Sequence, residues 1–391
     1  MTVLFVHNYY RQPGGEDEVF AAEASLLESR GERVLRYVVH NDQAVKLRPW
    51  VLAGTSIWNG TVYRELRTLC RQERPRVVHF HNTFPLISPA AWYAARAESV
   101  PVVQTLHNYR LVCPDALCFR DEHVCAECVG RVVPWPGVVH GCYRGSRVAT
   151  GAVAAMLTAH RLLGTWTQTP QIYIALTDFA RRTFIQGGLP AQKLVVKPNF
   201  VYPDPGPGDG RGDCALFVGR LSEEKGVKVL LAAWAQLHGK VPLKIVGDGP
   251  LAGLVAEAAG RGDGVTWLGK QSKTQVYALM KQARMLIVPS LWYEGFPMVV
   301  VEAYAAGCPV LVSNLGGLSS LIDHRRTGLH MPPSDSGALA AAAEWAWGHP
   351  SEMAAMGREA RREFEQRYTA DRNNEMLSEI YRLAEERAGQ C

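Results

Sequence analysis

The sequence predicts an α/β protein made of two doubly wound, Rossmann-like domains with parallel sheets. Short β-branched runs alternate with helical patterns. The alternation restarts after a Pro- and Gly-rich stretch. The chain of 391 residues is long for one domain.

In the first half, residues 3–6, 34–38, 77–80 and 102–105 read as strands, separated by helical patterns such as 18–30 and 61–72. Residues 201–213 are dense in Pro and Gly and almost free of apolar side chains, which marks a linker. Beyond it, residues 215–218, 243–246, 265–268, 285–288 and 310–312 read as strands, and 371–388 as an amphipathic helix. The expected domains are 1–198, with a Cys-rich insertion at about 113–143, and 214–368, joined by a 199–213 linker. Residues 369–391 are expected to cross back to the first domain. Open parallel sheets bind ligands at the carboxyl ends of their strands, so the two domains are expected to face each other across a cleft.

Composition excludes more than it selects. Net charge is +5 and no dense Lys/Arg block occurs, which argues against nucleic acid. The apolar run at residues 2–6 lacks the basic flank and cleavage site of a signal peptide, and no apolar run approaches membrane-spanning length. Nine cysteines without a secretion signal read as thiols or metal ligands, and the expected compartment is the cytosol.

The segment Ser290-Leu-Trp-Tyr-Glu-Gly-Phe-Pro-Met-Val-Val-Val-Glu-Ala303 carries the most chemistry. A strand runs into a Gly-Phe-Pro turn and then a helix, a layout whose free N–H groups suit phosphate. Glu294 and Glu302 flank it, and as anions they suit sugar hydroxyls rather than phosphate. Arg220 and Lys225 follow the strand at 215–218 and could neutralise a diphosphate, or lie in a solvated loop. In the first domain, Gly14 and Gly15 precede a helix and admit a group close to the backbone. His81 and His107, each followed by Asn, end strands.

Two further patterns compete. Gly247-Asp-Gly-Pro-Leu-Ala252 matches the dinucleotide fingerprint and supports an NAD- or FAD-dependent oxidoreductase. Against it, Pro250 removes a donor N–H, and the motif follows the second strand of its domain instead of the first. Cys113, Cys118, Cys125, Cys128 and Cys142 cluster, with one Cys-x-x-Cys. The ligand set Cys113, Cys125, Cys128 and Cys142 could hold a structural zinc that pins an insertion poor in apolar residues. No Asp-x-Asp pair, Walker motif, Gly-x-Ser-x-Gly or His-Glu-x-x-His occurs.

The chain resembles the retaining glycosyltransferases of family four, with the GT-B fold, over nearly its whole length. Glu294-x7-Glu302 is the most specific match. Val218-Gly-Arg-Leu-x-x-x-Lys-Gly226 is a second, Lys197-Pro-Asn199-Phe200 resembles the family's hinge motif, and Gly14-Gly15 resembles its N-terminal loop. The resemblance implies a hexosyltransferase that uses a UDP- or GDP-linked sugar and needs no metal. The leaving phosphate would take the acceptor's proton in a front-face attack. It implies that Arg220 and Lys225 hold the diphosphate, Glu302 the ribose and Glu294 the donor sugar. Backbone groups of Phe296, Pro297, Met298 and Val299 would meet phosphate, with the base near Gly247 and Leu268, and His107 beside the reacting sugar. The insertion resembles that of bacterial polysaccharide-assembly members. This implies a glycan, polyprenyl-linked or small-molecule acceptor. Arg64, Arg67, Arg71, Arg74 and Arg76 lie in or after one helical pattern and could give peripheral contact with an anionic inner membrane face, or equally form a solvated basic helix. A non-catalytic nucleotide-sugar-binding partner protein is the remaining alternative.

Overall fold

The computed structural model describes residues 2–11, 14–208 and 212–389. It divides into two compact units. The N-terminal unit holds the chain up to Cys118, Ala126–Asn199, and the chain from Asn373 onward; the C-terminal unit holds Phe119–Cys125 and Phe200–Arg372.

The first part of the chain runs β1 (Thr2–Tyr9), α1 (Gly15–Ser29), β2 (Arg33–His40), α2 (Asp42–Val45), α3 (Pro49–Ile57), α4 (Gly60–Glu73), β3 (Val77–Phe80), α5 (Ala90–Ala97) and β4 (Val102–Leu106). It continues with the small hairpin β5 (Phe119–Arg120) and β6 (His123–Val124), then α6 (Trp135–His140), α7 (Arg147–Leu162), α8 (Thr165–Gln168), β7 (Ile172–Ala175), α9 (Asp178–Gln186) and β8 (Leu194–Val196). The second part runs β9 (Cys214–Val218), α10 (Val227–Leu237), β10 (Leu243–Val246), α11 (Ala252–Gly260), β11 (Val265–Trp267), α12 (Lys273–Gln282) and β12 (Ala283–Val288). After it come α13 (Met298–Ala305), β13 (Val310–Ser313), α14 (Gly316–Leu321), β14 (Gly328–Met331), α15 (Ser336–Gly348), α16 (Pro350–Arg367) and α17 (Ala370–Ala388). No described helix is long and apolar enough to cross a membrane.

Each unit has one six-stranded parallel sheet, ordered β2-β1-β3-β4-β7-β8 and β11-β10-β9-β12-β13-β14. Strands β3, β4, β7 and β13 are buried on both faces, which is why they read as unbroken apolar runs. Edge strand β2 alternates in burial. Both sheets reverse their winding direction, the first between β1 and β3, the second between β9 and β12. Such a switch point opens a crevice at the strands' carboxyl ends.

The expected linker is not free chain. Phe200 and Val201 are buried, Val201 N–H donates to Tyr368 O at 3.1 Å, and Gly208 N–H donates to Ala306 O at 2.9 Å. A side chain at Gly208 would strike the Lys281 carbonyl, so this glycine serves packing. Residues 209–211 of that stretch lie outside the described residues. The entry to the insertion and Cys128 pack into the N-terminal unit. Tyr109, Val112, Cys118 and Cys128 are buried, the Tyr109 ring stacks on Phe184, and Tyr109, Cys113 and Ala116 exchange backbone hydrogen bonds.

In the N-terminal unit, Leu377, Ile380 and Tyr381 of α17 join Val3, Phe5 and Phe20 in the core. Beside them Lys197 is fully buried, with Nζ 2.6 Å from Glu23 Oε1 and 2.5 Å from Asn373 Oδ1. A buried ammonium is tolerated only when so partnered. Lys197→Met leaves Glu23 without its counter-charge and is expected to cost about 3–5 kcal/mol in denaturant unfolding of the N-terminal unit. Adding Glu23→Gln should recover much of that loss, and a negligible cost for Lys197→Met alone would contradict this reading.

Candidate functional site

In the C-terminal unit, backbone packing brings the predicted residues together. After β9 the chain makes a single turn, Glu223–Lys225, ending on Gly226 at φ +71°. A Cβ at Gly226 would lie 1.9 Å from Pro289 O, so only glycine lets this turn rest on the end of β12. Leu291 N–H donates to Glu224 O at 2.9 Å and ties the two loops. The result spans the β9/β12 switch point. Lys225 Nζ lies 2.7 Å from Glu294 Oε1, Ser290 Oγ donates to the same oxygen at 2.6 Å, and the ammonium sits 5.2 Å from the Trp292 ring centre. Glu294 is 4% exposed although ionisable, so its charge is held by these partners. Arg220, also past β9, is exposed and makes no ion pair among the described residues.

Glycine also explains the apparent fingerprint. Gly247, at φ +139°, would place a Cβ 1.9 Å from Gly219 O, and Gly249 would place one 2.5 Å from Leu221 O. Leu221 N–H donates to Asp248 O, and Leu251 N–H to Leu221 O. These glycines seat the β10 loop on the β9 loop instead of cradling a pyrophosphate, which corrects the oxidoreductase reading. Gly247 N–H donates to Gly269 O and its carbonyl accepts from Trp267 Nε1, beside Leu268.

Helix α13 begins at Met298 after Pro297, with Phe296 buried and Met298 and Val299 partly exposed. Glu302 lies one turn further on, 3.2 Å from Lys273 Nζ. Lys273 opens α12 under a Ser272/Gln275 capping box, and its sequence signal reads as a helix start. Lys273 and Ser290 are the residues that sequence reasoning left without a role.

In the N-terminal unit, Gly14 caps α1, and its N–H donates to Asp17 Oδ2 at 2.8 Å; Gly15 begins the helix. Asn199 is buried. A small pocket at the ends of β3 and β4 is lined by Asn82, Phe84, His107, Asn108 and Arg110, with Arg110 over the Phe84 ring at 4.5 Å. Behind it, His81 Nδ1 lies 3.0 Å from His107 Nε2, and His81 Nε2 lies 3.6 Å from Glu23 Oε2. Burial pushes the pKa of His79 and His81 far down, and that of His107 to about 3, so all three are neutral at pH 7. The Glu23 carboxylate favours the His81 proton on Nε2. His81 Nδ1 then accepts from His107 Nε2–H, which leaves His107 Nδ1 as a lone-pair nitrogen.

The zinc expectation finds no support among the described residues. No three of the five clustered cysteines bring their sulfurs within ligand reach of one another. Cys118 instead hydrogen-bonds Cys113 and lowers its pKa to about 6, and Cys128 Sγ faces Pro134 O. Among the described residues, the one group of ligand atoms close enough for a metal is Glu23, His79 and His81. It suits a cation poorly. Lys197 already neutralises Glu23, and both His79 nitrogens are engaged, with Tyr381 OH and Thr105 Oγ1, each at 2.8 Å.

Two predictions follow from this geometry. Gly226→Ala should destabilise the C-terminal unit by more than about 1 kcal/mol in thermal unfolding, because alanine resists positive φ and strikes Pro289 O. Gly260→Ala, which meets open space, should be neutral or stabilising, and equal effects would contradict the packing argument. The second concerns pH. The three histidines titrate near 6.5 unfolded and far lower folded, so the unfolded state binds more protons and stability falls as pH drops below about 6.5. Glu16, raised by burial to about 7, opposes this with one proton. These four groups together leave about two protons, a contribution approaching 2.7 kcal/mol per pH unit between about pH 6 and 5, to which His160 and His330, also lowered by burial, add in the same direction. His107→Gln should reduce the slope by about one proton, and an unchanged slope would contradict the assignment.

Comparison with known proteins agrees with the architecture. Residues 8–204 match the model described as Glycosyltransferase Family 4, and residues 207–363 match Glycosyl transferases group 1. The chain is 38% identical over 160 residues to D-rhamnosyltransferase WbpZ of Pseudomonas aeruginosa, covering 40% of this chain and 41% of that protein. It is 34% identical over 310 residues to glycogen synthase of Mycobacterium tuberculosis, covering 77% of this chain and 66% of that protein. The matches thus span less than two thirds of these relatives' lengths. A solved structure of Anabaena HepE in complex with UDP superposes with a TM-score of 0.69 at 18% identity, covering 97% of this chain and 99% of that one. The fold is therefore GT-B, with two Rossmann-like domains, and the chain belongs to glycosyltransferase family 4.

Proposed function

We propose that this chain transfers a hexosyl unit from a nucleoside-diphosphate sugar to a glycan, lipid-linked or small-molecule acceptor. The observation that carries the reading is the Lys225–Glu294 pair across the β9/β12 switch point, with Arg220 unpaired at the same strand end. Two cations and the N-terminus of α13 suit a diphosphate that gains charge as it departs. In the resting site Glu294 occupies Lys225. When a donor binds, Lys225 turns to the phosphate and Glu294 is left to accept from sugar hydroxyls. Glu302, with Lys273 beside it, is assigned to the ribose, and the glycine-seated loop of Gly247 and Leu268 to the base. That the solved relative holds UDP supports a nucleotide ligand of this kind.

We assign transfer with retention and without a metal. The chain has no Asp-x-Asp pair, and Arg220 and Lys225 supply the compensating charge. The bond from the anomeric carbon to the phosphate oxygen breaks. The acceptor oxygen bonds on the same face, and its proton passes to the departing phosphate. From the N-terminal unit, His107, as a neutral hydrogen-bonding imidazole, is assigned to the sugar and Gly14-Gly15 to phosphate. The Asn82–Arg110 pocket is assigned to the acceptor.

Arg220→Ala and Glu294→Gln should each lower sugar transfer, and donor hydrolysis without acceptor, by about 10²–10³-fold while the unfolding midpoint stays put. Products from a panel of UDP- and GDP-hexoses, with the anomeric configuration read by NMR, check this. Full activity in both variants would overturn the assignment. Donor binding without turnover would favour the non-catalytic partner.

A further inference from the structure

We propose that α3, the 129–139 segment and the outward face of α7 form a docking surface for an anionic lipid bilayer. This inference does not depend on the sugar-transfer reading. Helix α3 carries no charge, and Ser56 is its single buried residue, so a largely apolar helix lies on the surface with Trp50 67% exposed. On α7, Val148, Ala155 and Leu162 repeat every seven residues on one side and are all exposed, Val148 by 85% and Leu162 by 73%. At 1.5 Å per residue this apolar stripe runs for about 21 Å.

The elements adjoin. Helix α3 packs on α7, and the Ile57 carbonyl lies 2.8 Å from His160 Nε2. Thr158 Oγ1 faces Val132 O, and Arg147 Nε donates to Val139 O at 3.0 Å. The exposed side chains of Val132, Val133 and Trp135 extend the same apolar surface.

Charge selects the occupant. No Asp or Glu occurs from residue 128 to 177, nor from 43 to 64. Exposed Arg48, Arg131, Arg144 and Arg147 border the apolar groups, and Arg48 and Arg131 lie over the rings of Trp50 and Trp135 at 5.5 and 5.3 Å. Apolar and aromatic groups flanked by arginine, with acids excluded, suit the boundary between acyl chains and anionic headgroups. A second copy fits worse, because a self-complementary contact would set arginine against arginine. The arginines suspected from sequence have much of their charge compensated within the protein. Arg67 and Arg71 pair with Glu98 at 2.7 and 2.8 Å, Arg76 pairs with Glu385, and Arg64 bonds its own helix.

Sedimentation of the full chain with vesicles tests this. It should bind phosphatidylcholine vesicles containing phosphatidylglycerol and not phosphatidylcholine alone, with binding weakened by salt. Trp50→Glu with Val148→Glu and Leu162→Glu should reduce bound protein at least about tenfold, and Arg131→Ala or Arg147→Ala by about fivefold each, with unfolding midpoints unchanged. No binding to phosphatidylglycerol vesicles, or unchanged binding of the triple variant, would overturn the proposal. So would a dimer in solution that the triple variant abolishes.

Discussion

Backbone lying directly on backbone is the constraint on which the C-terminal unit depends. Gly226 rests on the Pro289 carbonyl, Gly247 on that of Gly219, and Gly249 on Leu221. These contacts join the loops after β9, β10 and β12 at the point where the sheet reverses direction. A cation and a carboxylate that are 69 residues apart in the chain thereby meet at 2.7 Å. Side chains at those glycines would separate the loops and dissolve the pair.

The N-terminal unit solves a related problem with charge. Lys197, Glu23 and Asn373 form a buried polar knot where α17 joins the core, and the His79–His81–His107 group lies beside it. Such groups are stable in the interior only if every partner is in place. The knot therefore links the return of α17 to the state of His107 at the strand end. Burial keeps the imidazoles neutral, which suits hydrogen bonding to an uncharged sugar better than general-acid chemistry.

Much of the fold was legible in the sequence because parallel strands buried on both faces write themselves as short apolar runs. Strands β7, β8 and β14 were not read from the sequence, although runs of the same length at 77–80 and 310–312 were. Arg220, Lys225, Glu294 and Glu302 were visible as residue types at strand ends. Their pairings with Ser290 and Lys273 were not, since those depend on register between distant loops. Gly247 and Gly249 were misleading for a physical reason: close backbone approach has the same signature whether the neighbour is a pyrophosphate or another loop. The cysteines misled similarly, because spacing along the chain does not fix where sulfurs point. Lys197 read as part of a hinge motif, and only the position of Asn373 shows what it holds.

Lys225 at the switch point is proposed as the anchor for the nucleotide's diphosphate. Calorimetric titration of UDP and of GDP into the full chain and into Lys225→Met tests it most directly. One of the two nucleotides is expected to bind the native chain, and the variant to lose at least about tenfold in affinity for it, the loss of ~1.4 kcal/mol or more for a charge-assisted contact. Equal affinity in the two proteins would rule out Lys225 as that anchor.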